Sequence, residues 1–179
     1  LYLVSDGTCA AASFDDLKGQ TVYAPAQNPS FIFQYLCEKN GLKPGEDLTI
    51  DTAYAQPADL NAAVSSGEVS LAVLPEPMVT IACAANSALS VAMDLTAEWD
   101  KVSPAGSLVQ GCVVVRTEFA KEHAAELKCF LDEYKASVEA LSADVQGTAE
   151  KIQETGIFAK AAVAAKAIPN CNVCFIAGS

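Results

Sequence analysis

A single histidine, no cluster of basic residues and no long apolar run set the first limits on this chain. It has 179 residues, with 22 acidic against 11 basic side chains and a net charge of −11. So acidic a chain, without a basic patch, lacks the electrostatic footprint for nucleic acid or for an anionic membrane surface. No apolar stretch reaches the ~18–20 residues that span a bilayer. No charged leader and apolar core open the chain; Leu1–Val4 reads as a strand instead. The chain is expected to be cytosolic, to start after processing, or to be a piece of something longer. Half of it is apolar (51%), so it should fold, and its length allows one domain or one plus part of another.

Much catalytic chemistry is missing too. His123 is the only histidine and lies in a charged helical run with Glu118, Lys121, Glu122 and Glu126, which predicts an exposed surface residue. There is no G-x-S-x-G nucleophile motif, and Lys18-Gly19 stands alone without phosphate-loop spacing. Seven cysteines, an odd number scattered through apolar segments, do not form a disulfide framework. Cys9 stands in the first loop; Cys37, Cys83, Cys112 and Cys129 read as small core residues. Cys171 and Cys174 have metal or redox spacing but no second pair, so no metal and no cofactor is expected.

What the chain does have is alternation. Thr21–Pro25 reads as a strand, Pro29–Asn40 as a helix, Leu48–Tyr54 as a strand, Pro57–Ser66 as a helix and Ser70–Leu74 as a buried strand. Two consecutive strand–helix–strand units imply an α/β fold with a parallel sheet and right-handed crossovers. Helix faces of Ile32, Tyr35 and Leu36, and of Leu60, Ala63 and Val64, should point inward, with Gly41 and Gly67 as stops. A helix over Pro77–Ala85 and a strand over Leu89–Met93 follow, then a polar connection over Thr96–Gly106. Gly111–Arg116 is β-branched throughout Val113–Val115 and reads as a strong strand. A helix capped by Thr117 then carries Leu127, Phe130, Leu131, Tyr134, Val138 and Leu141 on one face. Two Ala-rich helices, near Asp144–Thr155 and Phe158–Ala167, precede an irregular Ile168–Ser179.

In open parallel sheets, ligands bind beyond the carboxyl ends of the strands where the strand order reverses. That rule selects the loops Pro25–Ser30 and Pro75–Pro77. Asn28 followed by Pro29 fits a helix start, where the amides of Ser30 and Phe31 would be unpaired and favour an anion. The alternative is that Asn28 caps its own helix and nothing binds. Glu76 could accept a hydrogen bond from a solute, or belong to a rigid turn with Pro77. Tyr54 could stack on a flat ligand or simply pack.

Three segments together resemble a known family: DDLKGQTVYAPAQNPSFIFQYLCEKNGL (Asp15–Leu42), SGEVSLAVLPEPMVTIA (Ser66–Ala82) and VVVRTEFAKEHAAELKCFLDEY (Val113–Tyr134). They look like the solute-binding proteins of ABC importers, in particular the NMT1/THI5-like set of nitrate, sulfonate, taurine and thiamine-precursor binders. The resemblance implies a type II periplasmic-binding-protein clamshell, each lobe a sheet with helices on both faces, the first strands in the order 2-1-3. It implies that residues 14–110 form one complete α/β lobe, and that 1–13 and 111–179 are a remnant of the other. Members run to roughly 250–300 residues, the size of two domains, so part of that second lobe would be missing. The solute would contact Gln27, Asn28, Pro29, Ser30, Phe31, Tyr54, Glu76 and Pro77, with Ser13, Gln110 and Gly111 as hinges. The implied partners are a small polar or anionic solute and the ABC permease, with no nucleic acid, and the full-length protein would be a monomer. The implied location is extracytoplasmic, periplasmic or lipid-anchored, with the signal segment outside this chain. Two other readings share the fold: an enzyme of pyrimidine or quinone precursor synthesis, and a ligand-sensing regulatory domain.

Overall fold

The computed structural model describes residues 1–177 and divides the chain into two compact units, the first Leu1–Gln110 and the second from Gly111 onward. The first unit holds five strands: β1 (Tyr2–Ser5), β2 (Thr21–Tyr23), β3 (Thr49–Asp51), β4 (Leu71–Leu74) and β5 (Ser90–Asp94). They form one sheet in the order β3-β2-β4-β1-β5. β2 pairs in parallel with both β3 and β4, so the three alternating strands take the expected 2-1-3 order. β1 is the one departure from a parallel sheet, running antiparallel to β4 and to β5.

That position corrects the reading of residues 1–13. β1 lies inside the sheet of the first unit, hydrogen-bonded on both edges, and does not go with residues 111–179. A strand-like run does not reveal which sheet it will join; here the continuously buried β4 and the outer β5 supply its partners.

Four helices cover the sheet: α1 (Asn28–Lys39), α2 (Pro57–Ser66), α3 (Met78–Ala85) and α4 (Leu95–Val102). The period-2 rule distributes β4 between the two faces. Leu71 and Val73 join Phe33, Leu36 and Cys37 of α1 and Leu95 of α4 in one core layer. Ala72 and Leu74 join Leu60, Ala63 and Val64 of α2 and Val79 and Ala82 of α3 in the other. The inward face of α2 is as expected, and Gly67 ends that helix at φ 80°, a left-handed conformation that suits glycine. On α1 Phe33, not Ile32, leads the buried face; Ile32 packs at its margin and the Tyr35 ring lies tilted against Trp99 at 4.9 Å.

α4 replaces the expected irregular connection. Asp94 caps it, its Oδ1 accepting from the Thr96 and Ala97 amides at 2.9 and 3.2 Å. Pro104 and Gly106 lie after its end and do not break it.

The second unit contains α5 (Thr117–Glu122), α6 (Ala124–Ala143), α7 (Val145–Glu154) and α8 (Ala161–Ala167). The single helix expected after Thr117 is interrupted at His123, whose φ of −125° and ψ of 45° leave the helical region. Arg116, not Thr117, is the N-cap residue of α5, and no side chain bonds there. The expected strand Gly111–Arg116 is unpaired: among the described residues no ladder forms in this unit. β-branched residues make a strand only when a neighbour supplies the ladder, and Val114 stands 84% exposed. The apolar stripe of α6 is likewise only partly covered, with Val138 buried but Phe130 47% exposed. Cys112 and Cys129 share this exposure, against the expectation of core positions, whereas Cys37 is buried and Cys83 half-buried.

Candidate functional site

β2 and β4 are adjacent and parallel, with Tyr23 opposite Ala72. From β2 the chain crosses through α1 to β3 on one side; from β3 it crosses through α2 to β4 on the other. The connections leave in opposite directions, which is the geometry that opens a crevice at the strand ends. The loops 24–27 and 75–77 lead out of these two strand ends.

The start of α1 is built differently from the expected cap. Gln27 is the N-cap residue, Asn28 and Pro29 begin the helix, and no side chain caps it. Asn28 is therefore not the cap, and its alternative role is removed. The Phe31 amide is not available either, since it donates to the Gln27 carbonyl at 3.0 Å. The Ser30 hydroxyl donates to the same carbonyl at 2.9 Å, and Ser30 is buried. The donors left without a hydrogen-bond acceptor among the described residues are the amides of Asn28 and Ser30. Pro29, between them, has no N–H to offer.

Gln27 itself has φ 68° and ψ −132°, a backbone region that is nearly reserved for glycine. A side chain held there stores strain, and such strain clusters at ligand clamps. Phe31 stands one helical turn from this point, 65% exposed. The turn thus combines two free amide hydrogens, the positive end of a 12-residue helix dipole and an open aromatic face.

The side chains of Glu76 and Tyr54 already have partners within the protein. Glu76 lies just ahead of α3 and its carboxylate serves that helix, accepting from the Thr80 amide at 3.3 Å and the Thr80 hydroxyl at 3.0 Å. The Glu76–Pro77 peptide is cis, and both residues are half-buried. Tyr54 packs its ring at 5.8 Å from that of Tyr23 and donates its hydroxyl to Glu68 at 2.8 Å. The hydrogen bond to Glu68 holds the Tyr54 phenol above its ordinary pKa, with burial and the nearby Glu68 charge adding to the effect. Neither side-chain pairing had a signal in the sequence, because both partners are common surface residues.

Of the hinge candidates, Gln110 and Gly111 flank the division between the two units, whereas Ser13 lies within the first. There Ser13 bonds Asp16 Oδ2 through both its amide and its hydroxyl, each at 2.9 Å. A cavity of about 240 Å³ lies near Ser13, Phe14, Asn40, Glu98 and Lys101. It sits where α1 ends, away from the loops above. Its charges are already paired, Lys101 with Glu98 at 2.6 Å and Asp15 with Lys18 at 2.8 Å, so it makes the weaker candidate.

His123 is exposed, stacked on Phe119 at 4.6 Å with Nδ1 3.6 Å from Glu126. Cys171 is half-buried and Cys174 exposed. Among the described residues no group of three or more His, Cys, Asp or Glu could hold a metal ion, and no helix is long and apolar enough to cross a membrane.

No protein-family model matches the chain, and no curated protein matches it. Solved structures do. An ABC transporter protein from Parabacteroides distasonis is 24% identical with a TM-score of 0.72, over 98% of this chain and 57% of that one. The periplasmic aliphatic sulphonate binding protein SsuA from Escherichia coli is 17% identical with a TM-score of 0.74, over 94% and 54%. The alkanesulfonate-binding protein SsuA from Xanthomonas axonopodis pv. citri, bound to MOPS, is 15% identical with a TM-score of 0.68, over 94% and 54%. The chain has the α/β fold of these proteins and spans just over half their length.

Proposed function

We propose that this chain is the substrate-binding component of an ABC importer, working outside the cytoplasmic membrane and delivering a small anion to its permease. The observation that carries this reading is the reversal of connection direction between the parallel strands β2 and β4, with the free amides of Asn28 and Ser30 beside it in a fold shared with periplasmic binding proteins. The first unit supplies one wall of a solute cleft. Residues from Gly111 onward are part of a second lobe, whose remaining elements cover the exposed Val114 and Phe130. The whole protein is a monomer, with Gln110 and Gly111 at its hinge.

The chemistry favours a sulfonate-like solute, in line with the names of two neighbours. Its oxygens accept the Asn28 and Ser30 hydrogens, and its apolar part lies against Phe31. A helix start contributes only about 0.3–1 kcal/mol to holding a charge at an exposed site. One wall therefore binds weakly, and useful affinity arises when the second lobe closes and adds contacts that the open form lacks. With a net charge of −11 this chain does not steer anions from a distance; capture depends on these local donors. Nothing in this scheme breaks a bond, so the protein is a binder and not an enzyme.

Native mass spectrometry and thermal shift against MOPS, taurine, nitrate and uracil test the reading. A response to the sulfonates alone is expected. A response to uracil alone, or to none of the four, would sink it.

A further inference from the structure

In the connection 52–56 between β3 and α2, residues 54 and 55 make three contacts with other parts of the first unit. The Tyr54 ring packs on Tyr23, the last residue of β2, at 5.8 Å. The Tyr54 hydroxyl donates to Glu68 Oε1 at 2.8 Å. One residue further, the Ala55 carbonyl accepts from the Ala26 amide at 3.0 Å. Ala26 immediately precedes Gln27, the residue with φ 68°.

A backbone in that region persists only when its surroundings hold it there. Two of the bonds around Gln27 come from its own helix, the Phe31 amide and the Ser30 hydroxyl, both onto the Gln27 carbonyl. The Ala26–Ala55 bond comes from outside that helix and fixes the residue before the strained one. Its acceptor is carried by the neighbour of an anchored aromatic ring.

We propose that Tyr54 is a positioning residue: fixed by Glu68 and Tyr23, it holds the Ala55 carbonyl on Ala26 and so keeps the Gln27–Ser30 turn in the form that presents the Asn28 and Ser30 amides. This assigns Tyr54 a role in shaping the site in place of stacking on the solute. It also gives Glu68, exposed and distant in sequence from the turn, a part in the same arrangement. The inference rests on the anion reading above for its consequence, though not for its test.

The test uses the whole chain and amide hydrogen exchange read by NMR. Tyr54→Phe keeps the ring and removes the hydroxyl; Glu68→Ala removes the acceptor; Glu68→Gln keeps a carbonyl oxygen. The two disruptive variants are each expected to speed exchange of the Ala26 amide about threefold to tenfold, the range of one modest hydrogen bond. The double variant should be no faster than the faster single, and Glu68→Gln should stay near the parent rate. MOPS affinity should weaken in step. Unchanged Ala26 exchange in both single variants, or multiplicative effects in the double, would overturn the proposal. If exchange behaves as expected but the parent chain shows no response to MOPS at Asn28 and Ser30, the positioning role stands and the anion reading alone fails.

Discussion

The Ser30 hydroxyl donates to the Gln27 carbonyl at 2.9 Å, in a buried position at the head of α1. The bond ties the first helical turn to the one strained residue that precedes it. Ser30→Ala removes the donor and leaves the Phe31 amide as the remaining partner of that carbonyl. Urea unfolding should show a loss of about 1 kcal/mol, with little change in the slope of the transition.

Gln27→Gly should do the opposite. Glycine occupies φ 68° and ψ −132° without the side-chain penalty, which is of order 1–3 kcal/mol. Its looser unfolded state returns roughly 0.4–1 kcal/mol of that gain. A net stabilisation of up to about 2 kcal/mol is expected by thermal or urea unfolding. Gln27→Val, β-branched at a positive φ, should destabilise the protein in the same assay.

Glu76→Ala separates structure from binding. The carboxylate holds the Thr80 amide and hydroxyl at the head of α3, so its loss should cost about 0.5–2 kcal/mol in unfolding, as helix caps do. Solute affinity should be unaltered. A large affinity loss with intact stability would return Glu76 to the role of a solute contact.

Cys37 gives a prediction in pH. It is fully buried in the α1 layer, and burial, helped by the Glu38 charge, pushes its thiol up to about 12. The folded value lies above the ordinary ~8.5. Its contribution to stability is therefore complete below about pH 8.5 and is lost as pH rises toward 12. At pH 8 this thiol therefore stays protonated in the folded protein and is a poor nucleophile. Iodoacetamide at pH 8 should label Cys112, Cys129 and Cys174, all exposed, while Cys37 reacts only after unfolding. Mass spectrometry of the labelled peptides reads this directly.

The parts of the fold that were legible in sequence are those where pattern and environment coincide. Leu71–Leu74 is apolar at every position and is buried on both faces. Leu60, Ala63 and Val64 share one helical stripe, and Gly67 stops it. The alternation of these pieces predicts the parallel sheet, and the family resemblance supplies the order that sets β2 beside β4. Where tertiary partners decide, the sequence was silent or misleading. Val113–Val115 has strong β propensity but no neighbour to pair with among the described residues. Pro104 and Gly106 read as a break, yet α4 ends before them, and its cap, Asp94, is a helix-start signal in the sequence. At the site, the rule for open sheets located the turn but not its donors. A one-residue displacement of the cap, from Asn28 to Gln27, exchanged the Phe31 amide for that of Asn28. The pairings of Tyr54 with Glu68 and of Glu76 with Thr80 depend on side-chain directions that no local pattern encodes.

Titration of the ¹⁵N-labelled chain with MOPS, followed amide by amide, bears most directly on the role assigned to the turn before α1. Progressive shifts confined to Asn28, Ser30 and their immediate neighbours are predicted, saturating on the order of 1 mM, as a single weak wall would. Shifts centred elsewhere, or none at these two amides at tens of millimolar sulfonate, would contradict the account.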